Sequence, residues 1–224
     1  MIVLHKRGDE KEAAYKLTNL WRTIESKDIF VQWPFPGVLQ GLLHKSSFLD
    51  SRPEIELLTT TLKRNGNNLH RGICIGIVDV ETGKFHKVNQ DVGTQKIPLY
   101  ITASSAVPGL FIPIVEGNHT YIDGFTVDNL NLRGGIQECQ RLVGDDSRII
   151  VDMILSNPFK LPKRHIENYT TFGVYQRAEE LRAYNKKWFF LIDVMRTYPK
   201  VNWRYIVRPS KPLPNWPIIP LVLL

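Results

Sequence analysis

The sequence predicts an α/β domain with helices on the faces of a sheet, in three layers. Three observations carry that expectation. Apolar, largely β-branched runs at 73–78, 147–154 and 203–207 are separated by stretches with helical spacing, the pattern of strands alternating with covering helices. The run Ile73-Cys74-Ile75-Gly76-Ile77-Val78 is almost continuously apolar, as a strand buried on both faces requires. The 224 residues, 43% hydrophobic and 23% charged, suffice for one domain with a substantial core and exclude wholesale disorder.

Taken in order, Ile2-Val3-Leu4 reads as the end of an earlier helix, so the chain starts in the middle of an element. Asp9 with Glu12 has the D-x-x-E form of a capping box. Ala13, Ala14, Leu17, Leu20, Trp21 and Ile24 follow as one apolar helical face. Trp33-Pro34-Phe35-Pro36-Gly37 is a break, after which Val38, Leu39, Leu42 and Leu43 form a short apolar helix. Pro53 suits the first turn of a helix carrying Ile55, Leu57, Leu58 and Leu62, and Asn65-Gly66-Asn67-Asn68 ends it. Beyond the central strand, Glu81-Thr82-Gly83-Lys84 is a turn and 85–88 returns as an antiparallel strand. A helix over 98–103 leads into Ser104-Ser105 and ends at Pro108-Gly109. Tyr121-Ile122 is an apolar strand that delivers Asp123 to a tight turn at Gly124. From Thr171 a long amphipathic helix runs to about Tyr198, with Leu181, Tyr184, Trp188, Leu191, Ile192 and Met195 on its buried face. A last strand, 203–207, ends at Arg208-Pro209. Residues 1–210 thus form the domain. Residues 211–224 are an apolar tail whose four prolines, Pro212, Pro214, Pro217 and Pro220, exclude a regular helix. Packing on the domain, insertion into a lipid interface and a truncation artefact all remain open for that tail.

The 29 Lys and Arg against 22 Asp and Glu give a net charge of +7. No long basic run is present and the aromatics sit in apolar runs, so no nucleic-acid partner is expected. A peripheral contact with an anionic membrane fits the charge. Cys74 and Cys139 form no CxxC pair, and Cys74 reads as a buried small hydrophobe, which fits a reducing, cytoplasmic location. No apolar run reaches spanning length, and without a signal peptide the sequons at Asn118 and Asn168 are idle. The sequence contains no G-x-S-x-G, P-loop, GxGxxG or H-E-x-x-H motif. The histidines His5, His44, His70, His86, His119 and His165 are scattered, and none pairs with another at ligand spacing, so no zinc site is expected.

Two linked blocks are more specific. Ala103-Ser104-Ser105-Ala106-Val107-Pro108-Gly109 with Phe111 and Pro113 is followed by Tyr121-Ile122-Asp123-Gly124 and Asp128-Asn129. Together they resemble the patatin-like phospholipase domain, which shows an A-S-S-A-x-P-G/T-x-F-x-P block and then an aromatic-x-D-G-[GA] block. Residues 37–43 and 48–50 look like the family's middle segment, Asp79-Val80-Glu81-Thr82-Gly83-Lys84 like its acidic turn after a core strand, and 206–209 like its carboxyl-end strand. The likeness covers most of residues 1–210. It implies a three-layer α/β/α fold around a central, mostly parallel sheet. It also implies acyl hydrolysis of phospholipids or other acyl lipids by a Ser–Asp dyad, with no cofactor and no metal. Asp123 maps to the dyad base. Gly124, Ser104, Ser105 and Pro108 map to supporting positions, the serines as small hydroxyls that let a helix approach the sheet.

The departures are as informative. The Gly-rich oxyanion loop and the G-x-S-x-G nucleophile are absent, and the resemblance places Met1 just after the missing serine. Phe125 stands where the family has a small residue, a bulk expected to alter the turn or crowd the site. Ser104 and Ser105 lack the strained strand-to-helix turn of a nucleophile elbow and are not expected to substitute. Asp123 also has a plain reading as a turn residue, and Asp128 and Asn129 read as turn and capping residues. Lys160, Lys163 and Arg164 form a small basic cluster that reads as a solvated loop or a lipid-headgroup contact. The expectation is an N-terminally truncated hydrolase domain, inactive alone. The alternative is a non-catalytic, lipid-associated or interaction pseudoenzyme.

Overall fold

The computed structural model describes residues 1–34, 37–156, 161, 163, 165 and 170–210. Most of the basic cluster (Lys160, Arg164), Asn168 of the second sequon and the tail 211–224 lie outside them. The chain divides into two compact units, residues 1–138 and 139–224. It is a mixed α/β protein.

In the first unit, helix α1 spans Glu10–Thr23, α2 Ser26–Ile29, strand β1 Val31–Gln32, α3 Val38–His44, β2 Leu49–Asp50 and α4 Arg52–Arg64. Strands β3 (Cys74–Asp79) and β4 (Phe85–Asn89), helix α5 (Ile97–Ala103) and strands β5 (Ile114–Glu116) and β6 (His119–Asp123) follow. The four later strands form one sheet in the order β4-β3-β6-β5. Every pairing in it is antiparallel. The mostly parallel sheet implied by the family resemblance is therefore not found in this unit: β3 turns back directly through the 81–84 turn, and its other neighbour, β6, runs opposite to it. The expected centrality of the 73–78 run is found, since β3 lies between two partners and Ile75, Ile77, Val78 and Asp79 are buried.

Strand periodicity assigns the two faces. On one face Ile75, Ile77 and Val88 pack with Ile97, Tyr100 and Ala103 of α5 and with Ile114, forming the core. The other face carries Gly76, Lys87 and Asn89. Against it lie Asn131, whose side-chain amide reaches Cys74, and the first turns of helix α6 (Leu132–Val143), whose Gln137 and Glu138 take hydrogen bonds from Lys87 and Asn89. Cys74 is half-buried and is in no disulfide.

Several local expectations change. The capping box at Asp9 does not form: its carboxylate caps nothing, Glu12 pairs with Lys16, and Glu10 instead takes the Gly8 N–H and an Arg71 bond. Residues Ile2–Leu4 make a single 3-10 turn, tied to the body by the His70 N–H on the Val3 carbonyl. Trp21 is 71% exposed and Ala14 is exposed, so the apolar face of α1 narrows to Ala13, Leu17, Leu20 and Ile24. Helix α5 stops at Ala103, five residues before Pro108, because Ser104, Ser105 and Ala106 leave the helix in successive turns.

The second unit contains the remainder of α6, strand β7 (Ile150–Ile154), helix α7 (Thr171–Thr197) and strand β8 (Asn202–Val207). Strands β7 and β8 pair in parallel, as a connection through a helix allows. Thr170 caps α7 by accepting the Gly173 N–H at 3.1 Å. Leu191 and Val194 are the buried positions of α7, whereas Leu181 and Ile192 are exposed.

Candidate functional site

Strand β6 carries Asp123 to the point where the two motif blocks meet. The Asp123 N–H donates to the Ala106 carbonyl at 3.1 Å, which joins the end of the Ala-Ser-Ser-Ala turn to the Asp-Gly turn. Opposite Asp123 on β3 is Ile77. Its carboxylate Oδ1 accepts the Phe125 N–H at 3.0 Å, and the Thr126 hydroxyl donates to the Asp123 carbonyl at 3.0 Å. These bonds close a short 3-10 turn over Gly124–Thr126. Burial pushes the Asp123 carboxyl above its ordinary range, against the opposing pull of the Phe125 N–H. Its Oδ2 makes no hydrogen bond among the described residues.

Gly124 is dictated by space. A Cβ there would stand 2.6 Å from the Gly76 carbonyl oxygen, closer than real contacts allow. Phe125 does not crowd that contact: its side chain is 44% exposed and its backbone closes the turn. Phe125 is thus accommodated by the turn, with one oxygen of Asp123 engaged in holding it.

The two serines are employed elsewhere. Ser104 Oγ donates to the Gly76 carbonyl at 2.8 Å, fastening the end of α5 to β3, as the sheet-approach reading expects. Ser105 Oγ lies 2.9 and 2.8 Å from the two carboxyl oxygens of Glu54 on α4, and 3.0 Å from the Thr102 carbonyl. Burial raises the Glu54 carboxyl, and the Ser105 hydrogen bond opposes that shift. Neither serine hydroxyl bonds to Asp123. Pro108 and Gly109 occupy the centre of a turn closed by the Leu110 N–H on the Val107 carbonyl at 3.0 Å, with Gly109 at φ +78°, the positions such a turn assigns to Pro and Gly. Asp128 Oδ1 accepts the N–H groups of Leu130 and Asn131, both at 3.1 Å, so Asp128 is a turn residue. Asn129 is exposed in the same bend, and Lys163 is exposed.

A second constellation escapes the linear spacing. Asp79, at the end of β3, is 1% exposed. Its Oδ1 accepts the N–H groups of Glu81 at 2.9 Å and Thr82 at 3.2 Å. Its Oδ2 meets His119 Nδ1 at 2.9 Å and stands 3.9 Å from His86 Nε2. Burial alone would raise the Asp79 carboxyl, but the hydrogen bonds from Thr82 and Glu81 outweigh it and hold it at about 2. The Tyr121 ring stacks on His119 and meets His86 edge-on, at centroid separations of 6.1 and 5.9 Å. Forty residues separate Asp79 from His119 in sequence. Only the β3–β6 pairing brings them together, which is why scattered histidines gave no ligand pattern.

No family model matches the sequence, and no curated protein is significantly similar to it. Among the described residues, no helix is long and apolar enough to cross a membrane.

Proposed function

We propose that the chain is a portion of a patatin-like lipid acyl hydrolase domain of phospholipase A type, and that it retains the dyad aspartate, Asp123, without the dyad serine. The observation that carries this reading is the junction at Asp123. The Ala-Ser-Ser-Ala and Asp-Gly blocks, separate in sequence, meet through the Ala106–Asp123 hydrogen bond. The Asp-Gly pair also has a spatial reason, because nothing larger than Gly fits against the Gly76 carbonyl. Helix α5 on one face of the four-stranded sheet and the start of α6 on the other support the three-layer part of the reading. The antiparallel pairing of that sheet weighs against its mostly parallel part.

The chemistry is that of a base without its nucleophile. A serine hydroxyl becomes a competent nucleophile when a neighbouring base takes its proton. A partly buried carboxylate with a raised pKa is suited to that role, and Asp123 Oδ2 is the oxygen left to accept it. In the complete reaction the serine oxygen bonds to the ester carbonyl carbon while its proton passes to Asp123. The alcohol then leaves with that proton, and water releases the fatty acid from the acyl-enzyme. The 224 residues hold no G-x-S-x-G and no Gly-rich oxyanion loop, so the chain alone is inactive.

The test joins an upstream segment bearing a Gly-rich loop and G-x-S-x-G, taken from the coding sequence preceding Met1, to this chain. Release of fatty acid from phospholipid vesicles is expected in the joined protein and absent from the chain alone. Asp123→Asn should remove it by at least about 10²-fold, the scale of a lost general base. Activity in the unjoined chain, or a joined protein indifferent to Asp123→Asn, would refute the assignment. A second reading, a lipid-associated pseudoenzyme, is favoured by Phe125 engaging Asp123 Oδ1 in its own turn and by the +7 charge. It predicts salt-sensitive flotation with anionic vesicles, whether or not an upstream motif is found.

A further inference from the structure

We propose that Asp79, Glu81 and His119 form a site for a divalent first-row transition-metal ion such as Zn²⁺, set at the tips of two neighbouring β-hairpins. Each residue offers one ligand atom, and these atoms lie within 4.8 Å of one another. A tetrahedral ion with bonds of about 2.0–2.2 Å needs donors roughly 3.3 Å apart. The set therefore closes with a modest swing of Glu81 and His119, both exposed.

The fixed point is Asp79. Its Oδ1 is occupied by the Glu81 and Thr82 N–H groups, so its Oδ2 is the ligand atom presented to His119. That outer support is what orients a metal carboxylate. Glu81 is steered by the Thr120 N–H, which donates to its Oε2 at 2.9 Å and leaves the other oxygen to coordinate. Tyr121 braces the His119 ring. A further observation points inward. His86 Nε2 is a buried atom with no hydrogen-bond partner, 3.9 Å from Asp79 Oδ2, on a side chain that is 41% exposed as a whole. A buried ring nitrogen without a partner is costly, and an ion beside Asp79 gives it one, directly as a fourth ligand or through bound water.

One imidazole nitrogen, a second at hand, and two carboxylates form a donor set for Zn²⁺ or its neighbours rather than for Ca²⁺ or Mg²⁺, which prefer all-oxygen shells. The two carboxylate charges match a dication. Bound there, the ion would join the 81–84 turn of one hairpin to the 117–118 turn of the other, and would stabilise the folded state by mass action. The site is independent of the acyl hydrolase reading and stands or falls without it.

Co²⁺ serves as a spectroscopic stand-in. Titration of the full chain should produce visible d–d absorption of low-coordinate intensity at one equivalent, displaced by Zn²⁺, and Zn²⁺ but not Mg²⁺ should raise the melting temperature. Loss of an orienting outer partner already costs about 10–100-fold in metal affinity. Glu81→Gln and His119→Gln, both at exposed positions, are expected to lower affinity at least that much while leaving the circular dichroism spectrum unchanged. Asp79→Asn should abolish the absorption, and its exposed counterparts keep the test valid should it unfold. No absorption above that of the Glu81→Gln/His119→Gln double variant, or affinity unchanged in the single variants, would overturn the proposal.

Discussion

The two sheets of this protein obey different rules of burial. In the first unit β3 lies inside a four-stranded antiparallel sheet, and Ile77 beneath α5 is 1% exposed. In the second unit the two-stranded parallel ladder β7–β8 leaves Ile150 53%, Ile154 80%, Tyr205 61% and Val207 54% exposed. An antiparallel sheet tolerates one wet face, whereas parallel strands ordinarily have both faces covered. The apolar side chains of β7 and β8 are thus those of a ladder built for more cover than the described residues supply. Within the two strands only Met153 is buried; the other buried positions lie at the ends, in Ile149, Leu155 and Val201, and on the helix and just past it, in Leu191, Val194 and Tyr198. Stability should be concentrated in the first sheet and thin in the second.

The largest expected effect is the contrast in core truncation. Ile77→Ala should cost about 2–5 kcal/mol in denaturant unfolding, the range for emptying a packed site. Ile206→Ala on β8, already 39% exposed, should cost no more than about 1 kcal/mol. Equal losses would erase the distinction. Amide exchange should rank the same way, with Ile75–Val78 slower than Val151–Met153.

Gly124→Ala comes next. It forces a methyl against backbone that cannot swing aside and should destabilise by about 1–3 kcal/mol. A neutral result would mean that the β3–β6 contact is looser than its spacing indicates.

Acid separates the units more gently. The Asp79 carboxyl sits below its unfolded value. Its contribution is therefore complete above about pH 4 and fades as pH falls towards 2. Asp79→Asn should flatten that limb of a melting-temperature profile. Asp152, lowered by its exposed pairing with Arg204 on β8, should leave the profile nearly unchanged when replaced by Asn, since solvent screens such pairs.

The smallest effect has the opposite sign. Asp123 is raised by burial, so ionising it at neutral pH opposes folding and protonation relieves the penalty. Asp123→Asn should melt slightly higher than the parent at pH 7, with the gap closing as pH falls through the raised pKa. A lower melting temperature at pH 7 would show that the Phe125 N–H bond outweighs burial.

Much of this was legible in the sequence where the signal is local. The run 73–78, the 81–84 turn, Pro53 in the first turn of α4 and Asn65–Asn67 at its end, and the long helix from Thr171 are all where periodicity and turn chemistry put them. Two failures have plain causes. Helix α6 was hidden by Gly134-Gly135, poor helix formers. The first of these is kept small because a Cβ would strike Asn131. The apolar face of α7 was over-read, since periodicity marks a stripe but not how much of a 27-residue helix has something to cover it. Pairing direction was beyond reach, because a strand's alternation is the same whichever way its neighbour runs. So was the Asp79–His119 contact, which depends on β6 choosing β3. The turn at Asp123 was legible because its turn chemistry lies within four residues.

The Gly76 carbonyl has a consequence for heredity. Ser104 donates to it, Gly124 abuts it, and the Asn131 side chain lies against the residue that bears it. Changes at 76, 104 and 124 therefore act on one shared contact. Their effects should not add: once one has loosened the contact, the others cost less. A lineage that lost the first would find the rest cheap to lose, and the Asp123 turn would drift as a block.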